Sequence, residues 1–344
     1  MIEVNFFFIF FFSIIISFLI LYIFNKNELL IDKTFFSTHK KLLNSTLKSP
    51  PLCGGLIIFI CSLLFFKESI LLILFGLLVL ILGVFSDSNK VSSPIIRIFL
   101  QLILLLSFVI LIDLRISNTR IDFLDNLLNI DLLSIIFTVF CILVLINGSN
   151  FLDGLNTLLL GYYILVCSFL IFLSNEHNLI INQNINLLLF FLIIIFLFNF
   201  FGKVFLGDSG AYLISFYLAF FVIDFSIENN LTSPYLICFF LWYPAFENLF
   251  SILRRIIKKK KVQEPDQNHL HQMIYNLLIK TKFINYKFIN TSTGLIINLY
   301  NFIMFLIFYK FYTKTDILVL GIFINIFVYL FLYFFIKKKL KHLK

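Results

Sequence analysis

The sequence predicts an all-α polytopic membrane protein with about eleven transmembrane helices, its N-terminus outside and its C-terminus cytoplasmic. Three observations predict this. Of the 344 residues 61% are hydrophobic, and a mean hydropathy of +1.03 leaves too little polar surface for a soluble globule. Apolar runs of roughly 16 to 22 residues recur about eleven times, each able to cross a hydrocarbon core of roughly 30 Å as a helix. Lys and Arg divide unequally between alternate loops, as positive charge does across a cytoplasmic membrane.

The runs can be taken in order. The first, 4–24, has no basic residue before it and no small-x-small cleavage site after it, so it is expected to remain as a membrane helix. The second, 51–66, opens on Pro50-Pro51 and Gly54-Gly55, and the third, 69–85, ends in the polar segment Gly83–Lys90. Arg97 falls in the first turns of the fourth, 94–112. The fifth, 131–147, leads into the polar Asn147–Asn156, and the Asn-rich connector Asn175–Asn184 separates 157–174 from 185–201. The eighth, 210–226, follows Lys203–Gly210. The ninth, 232–252, carries Trp242 as an expected headgroup-level anchor. A cytoplasmic segment of about 253–290 then has room for a short amphipathic helix before the last runs, 291–309 and 316–336.

With the N-terminus outside, all but five of the 27 Lys and Arg lie on the inner side; the five are Lys67, Arg115, Arg120, Lys310 and Lys314. The inner set includes Lys26, Lys33, Lys40, Lys41 and Lys48, the Arg254–Lys261 run, and the tail from Lys337 to Lys344. The net charge of +9 is thus a topology signal that favours anionic headgroups, and no nucleic-acid partner is needed to explain it. The 49 Phe match an AT-rich coding bias and carry little functional information. Cys53, Cys61, Cys141, Cys167 and Cys238 show no metal-binding or disulfide spacing and read as packing residues. No repeat or soluble domain interrupts 1–344, which reads as a single membrane domain.

The same threading places four polar stations on the inner face. In Lys203–Gly210, Asp208 just before an apolar run reads as an N-cap, where free N–H groups favour phosphate and a carboxylate can hold a divalent cation. Asn150, Asp153 and Asn156 recur at three-residue spacing, so on a helix they share one face; Gly154 lets a ligand approach the backbone. Oxygen donors of this kind suit Mg²⁺, though a polar packing cluster or an ion path would use the same residues. Asp87 ends the third run with Arg97 close behind, a carboxylate and a guanidinium that can handle an acceptor and its phosphate. His269 and His271, beyond a basic run, are too few for a zinc site but can donate hydrogen bonds to a diphosphate.

Taken together, these segments resemble the polyprenyl-phosphate N-acetylhexosamine-1-phosphate transferases of glycosyltransferase family 4, a group that includes O-antigen and common-antigen initiating enzymes and is related to phospho-MurNAc-pentapeptide transferase. The resemblance covers about 35–275. It rests on His39-Lys40 with Pro50–Gly55, Gly83–Asn89, Asn150–Asn156, Phe205–Gly210, Pro244–Glu247 and Asp266–His271, in that order. It implies transfer of a HexNAc 1-phosphate from a UDP-sugar to undecaprenyl phosphate, with release of UMP, at the cytoplasmic face of the inner (plasma) membrane, starting a cell-envelope glycan such as O-antigen. The implied cofactor is Mg²⁺, with Mn²⁺ as an alternative; a homodimer is compatible.

The resemblance also implies roles. Asp208 and Asn150 hold the metal; Phe205 stacks on uracil and Asn156 hydrogen-bonds it. Asp87 acts at the lipid phosphate as base or by positioning, and Arg97 fixes its charge. Asp153 binds substrate or assists catalysis, with Gly154 beside it, while His269 and His271 hold the diphosphate and Lys48 contacts the nucleotide. Ser86 stands where the family has a second Asp, Gln272 replaces a His, Glu247 stands where Asp is common, and Asn156 takes a position where Asp also occurs. Ser86 leaves a catalytically impaired paralogue as one alternative, and a polytopic transporter or channel is another.

Overall fold

The computed structural model describes residues 6–31, 50–67, 70–259, 268–281 and 284–342. Lys48, His39 and most basic residues of the first inner loop lie outside them. Fourteen α-helices run in the order α1 (Phe6–Lys26), α2 (Gly54–Phe65), α3 (Ile70–Asp87), α4 (Pro94–Ile112), α5 (Asp122–Leu128), α6 (Asp131–Leu152), α7 (Leu158–His177), α8 (Asn184–Phe200), α9 (Gly207–Glu228), α10 (Pro234–Phe240), α11 (Trp242–Ile257), α12 (Leu270–Thr281), α13 (Ile289–Phe308) and α14 (Thr315–His342). No strand occurs among the described residues, so the chain is an all-α polytopic membrane protein.

Every apolar run read from the sequence holds a helix, but not all are of spanning length. Among the described residues eight helices are long and apolar enough to cross a membrane, or nine if α10 and α11 form one broken span. The 12 residues of α2 rise about 18 Å at 1.5 Å per residue, well short of a bilayer core of roughly 30 Å. The expected single span over 232–252 is instead two helices bent by 71°.

Pro244 accounts for the bend. Its ring excludes the carbonyl four residues back, that of Phe240, and it has no N–H to donate. The Tyr162 hydroxyl satisfies the freed Phe240 carbonyl, donating to it at 2.8 Å, and accepts from the Tyr243 N–H at 3.4 Å. Trp242 at the same bend is buried and donates through Nε1 to Asn301 Oδ1 at 2.9 Å. It therefore ties α11 to α13 and is not the headgroup anchor expected from its position.

The centre of the bundle is α9, buried on nearly every side, the pattern of a helix with no solvent- or lipid-facing stripe. Around it pack α2, α3 and α6, while α1, α4 and α14 turn rows of Phe, Leu and Ile outward, as lipid-facing helices do. In α11 the polarity is inverted: Glu247, Asn248, Ser251, Arg254 and Arg255 are buried, and Leu249, Leu253, Ile256 and Ile257 are exposed. That inversion carries polar chemistry into the bundle.

Candidate active site

Three helix ends meet at the first cluster. The last turn of α3 lies so close to the first turn of α9 that a Cβ on Gly83 would stand 2.2 Å from the Ser209 Cα. At Gly207, where φ is +70°, a Cβ would strike Asp87 Oδ2 at 2.6 Å. These two glycines let Asp87 reach the start of α9, where its Oδ1 accepts from the Asp208 N–H at 2.8 Å and its Oδ2 from the Ser209 N–H at 3.1 Å.

This corrects two expectations. Asp208 is not the N-cap; Leu206 is, and Asp208 is the second residue of α9. The N–H groups expected to be free for phosphate at Asp208 and Ser209 are already taken by Asp87, because a carboxylate from α3 is the nearer anion for those donors.

Asp208 is held in turn by its own side chain. The Ser86 hydroxyl donates to Asp208 Oδ2, and Arg97 Nη1 reaches the same oxygen at 3.0 Å and the Ser86 Oγ at 2.7 Å. Arg97 Nη2 donates to the Ser92 carbonyl at 3.4 Å, while its buried Nε has no partner. Tyr212, one turn into α9 and buried, brings its hydroxyl against Arg97 and Ser86. Asp208 Oδ1 takes part in none of these bonds.

The second cluster surrounds the end of α6. That helix stops at Leu152, Asp153 is its C-cap, and Thr157 turns at φ +67° before α7 begins. Asn150 and Asp153 thus keep helical spacing, but Asn156 lies in the turn and does not share their face, contrary to the expected single stripe. Asparagines from neighbouring helices take up the turn's polar backbone. Asn290 Oδ1 accepts from the Asn156 N–H and Asn199 Oδ1 from the Thr157 N–H, each at 2.7 Å. Through its Nδ2, Asn199 also donates to the Val204 carbonyl at 2.9 Å. Next to Val204, the backbone of half-buried Phe205 exchanges hydrogen bonds of 3.1 Å with Pro51 O and the Gly54 N–H. Three motif segments far apart in sequence are stitched together in this way.

The third cluster lies where α11, α12 and α14 converge. His269 Nδ1 meets Glu247 Oε1 at 2.8 Å, and the Tyr329 hydroxyl donates to Glu247 Oε2 at 2.8 Å. His269 and His271 stack with centroids 5.5 Å apart, and Phe151 of α6 covers His269 at 5.0 Å. His271 is fully buried with no hydrogen bond at either ring nitrogen, and burial pushes its pKa down to about 3. A Cβ on exposed Gly154 would lie 3.4 Å from His271 Nε2, so this cluster abuts the α6 turn.

Ser86, Asp87, Arg97 and Asp208 are therefore in direct contact, and Gly154 lies against His271. Asn150, half-buried one turn before Asp153, makes no side-chain hydrogen bond, and none joins it to Asp208. No group of three His, Cys, Asp or Glu suited to a metal occurs among the described residues. The donor set still fits Mg²⁺, which takes one or two protein oxygens and completes its shell from phosphate and water; Asp208 Oδ1 and the Asn150 carboxamide are uncommitted. Sequence reasoning missed Asn199, Tyr212 and Tyr329, although a lone polar side chain such as Asn199 in an apolar run is itself a signal.

Residues 69–226 match the family model of glycosyl transferase family 4. A Thermotoga maritima protein, undecaprenyl-phosphate alpha-N-acetylglucosaminyl 1-phosphate transferase, is 30% identical over 238 residues, 68% of this chain and 71% of the relative. The chain belongs to glycosyl transferase family 4. A Bacillus subtilis protein named probable undecaprenyl-phosphate N-acetylglucosaminyl 1-phosphate transferase is 24% identical over 238 residues, and the match spans 66% of each chain. In this family 4 glycosyl transferase the matched region contains Ser86, Asp87, Arg97, Asn150–Asn156 and Asp208, and ends before Glu247, His269, His271 and Tyr329.

Proposed function

We propose that the protein transfers N-acetylglucosamine 1-phosphate, or a closely related HexNAc 1-phosphate, from a UDP-sugar to undecaprenyl phosphate and so starts a cell-envelope glycan. The observation that carries this reading is the contact cluster Ser86–Arg97–Asp208–Asp87 inside the region matched by the family, together with relatives named for that transfer. In the reaction an oxygen of the lipid phosphate attacks the phosphorus bearing the sugar. The bond from that phosphorus to the bridging oxygen breaks, and UMP leaves with the electron pair.

Asp208 Oδ1 and Asn150 would hold Mg²⁺, which supplies charge neutralisation at the donor diphosphate. Ser86 and Arg97 fix the other Asp208 oxygen, and Asp87 fixes its backbone; Asp87 is thus a positioning group here and not a free base. Arg97, with its unpartnered Nε, meets the acceptor phosphate. Phe205 and Asn156 take the uracil, Asp153 and Gly154 the substrate, and His269 the diphosphate; His271, fully buried and stacked behind His269, backs that ring and does not reach the diphosphate as expected from the sequence. The sidedness of Lys and Arg supports a plasma-membrane location with the site facing the cytoplasm. Every residue invoked comes from one chain.

Ser86 does not disable this arrangement, because its hydroxyl orients Asp208 directly. Incubation of the purified protein with undecaprenyl phosphate, Mg²⁺ and UDP-N-acetylglucosamine is expected to release UMP and form a lipid-linked sugar. Absence of both with a panel of UDP-HexNAc donors would overturn the reading.

A further inference from the structure

Glu247 and Tyr329, which hold His269 from behind, have no part in the transfer described above. Glu247 has no exposed surface, and both its oxygens are engaged, one by His269 and one by Tyr329, 82 residues further along the chain. A buried carboxylate is costly, and packing alone would be met as well by an apolar side chain. Its two partners are themselves buried, and the ring it holds is flanked by Phe151 and His271. Glu247 is faced by His269, His271, Tyr243 and Tyr329, and Arg254 faces Tyr329 from the same side of α11.

A carboxylate can only accept, so Nδ1 of His269 must carry the hydrogen in this bond. Nε2 is then the ring nitrogen left for substrate. Tyr329 keeps the second carboxylate oxygen from swinging away, and the stacked neighbours fix the plane of the ring. The histidine pair abuts Gly154, whose motif the transfer reaction uses.

We propose that Glu247 and Tyr329 are positioning residues, which hold His269 with a hydrogen on Nδ1 and leave Nε2 as the nitrogen that takes up a proton from solvent and donates it in a hydrogen bond to the donor phosphate. The part played by the donor rests on the function proposed above; the tautomer does not. The last helix, α14, thereby sets geometry at a site otherwise built from earlier parts of the chain.

The test uses the full-length protein in detergent, labelled with ¹⁵N-histidine and read by long-range ¹H–¹⁵N correlation, with His269→Asn to assign the resonance. The wild type is expected to show His269 protonated at Nδ1, and an Nε2–H tautomer overturns the proposal whether or not the enzyme turns over. In the UDP-sugar assay, Glu247→Gln and Tyr329→Phe are expected to lower kcat by about 10- to 100-fold, as loss of an orienting partner does. Glu247→Asp, which keeps the charge, is expected to recover most of the rate. Wild-type kcat and KM in both Tyr329→Phe and a folded Glu247→Gln overturn it; should Glu247→Gln fail to fold, Tyr329→Phe decides alone. A wild type with the Nδ1–H tautomer but no UMP release sinks the transferase reading and leaves the locked ring standing.

Discussion

Asp87, the last residue of α3, caps α9 at Asp208: its Oδ1 accepts the Asp208 N–H at 2.8 Å while its Oδ2 accepts that of Ser209. The residue expected to serve the acceptor therefore serves the helix that carries the metal-binding candidate. Asp87→Ala should cost about 0.5–2 kcal/mol of stability, the range for a lost helix cap, and Asp87→Asn less, because the carboxamide keeps one acceptor. Unfolding of the purified variants in detergent checks this. Equal stability of Asp87→Ala and wild type would show that the cap contributes nothing.

Ser86 provides a second test. Its hydroxyl donates to Asp208 and accepts from Arg97, so Ser86→Ala removes two bonds, each of about 1 kcal/mol, and loss of the one that orients Asp208 should lower turnover by roughly fivefold. Ser86→Asp should stay within about tenfold of wild type, since Arg97 can pair with either carboxylate. If wild type were inactive and Ser86→Asp active, Ser86 would mark an impaired paralogue.

The burial of His271 predicts a dependence on pH. Its pKa falls from 6.5 to about 3 on folding, so the unfolded chain binds the proton more readily. The stability tied to neutral His271 is complete above about pH 6.5 and is lost as pH falls toward 3, by at most about 1.4 kcal/mol per pH unit. Melting temperatures between pH 7 and 4 should fall less steeply for His271→Asn than for wild type. Parallel slopes would mean that His271 is not held neutral.

Tyr162 predicts the behaviour of the broken helix. In Tyr162→Phe the Phe240 carbonyl and the Tyr243 N–H lose their shared partner, and a buried polar group left unsatisfied costs about 1–3 kcal/mol. A loss in that range, measured by detergent unfolding, supports the hydroxyl as the joint between α10 and α11. No loss would leave the bend to Pro244 alone.

Much of this molecule is readable in its sequence, because lipid forces apolar length and charge sidedness onto the chain. The helices and the four stations follow from those pressures. Other features depend on contacts between distant segments, which hydropathy does not encode. α9 starts before Asp208, not after it, because Gly207 and Asp87 meet there, and the stripe through Asn156 broke because α6 ends at Leu152. Trp242 looked interfacial until its Asn301 partner on α13 was in place. Tyr329 sits in an apolar helix with no motif around it, so only the fold reveals that it reaches Glu247.

Asp208, held by Ser86, Arg97 and Asp87, is the proposed metal-bearing centre of the sugar-phosphate transfer. The most direct measurement is UMP release and lipid-linked sugar formation by wild type and Asp208→Ala, with undecaprenyl phosphate, UDP-N-acetylglucosamine and a Mg²⁺ titration. Wild type is expected to show Mg²⁺-dependent transfer and Asp208→Ala a loss of about 100- to 1000-fold, the range for removal of a group that stabilises transition-state charge. Full activity of a folded Asp208→Ala, or transfer that ignores Mg²⁺, would contradict it.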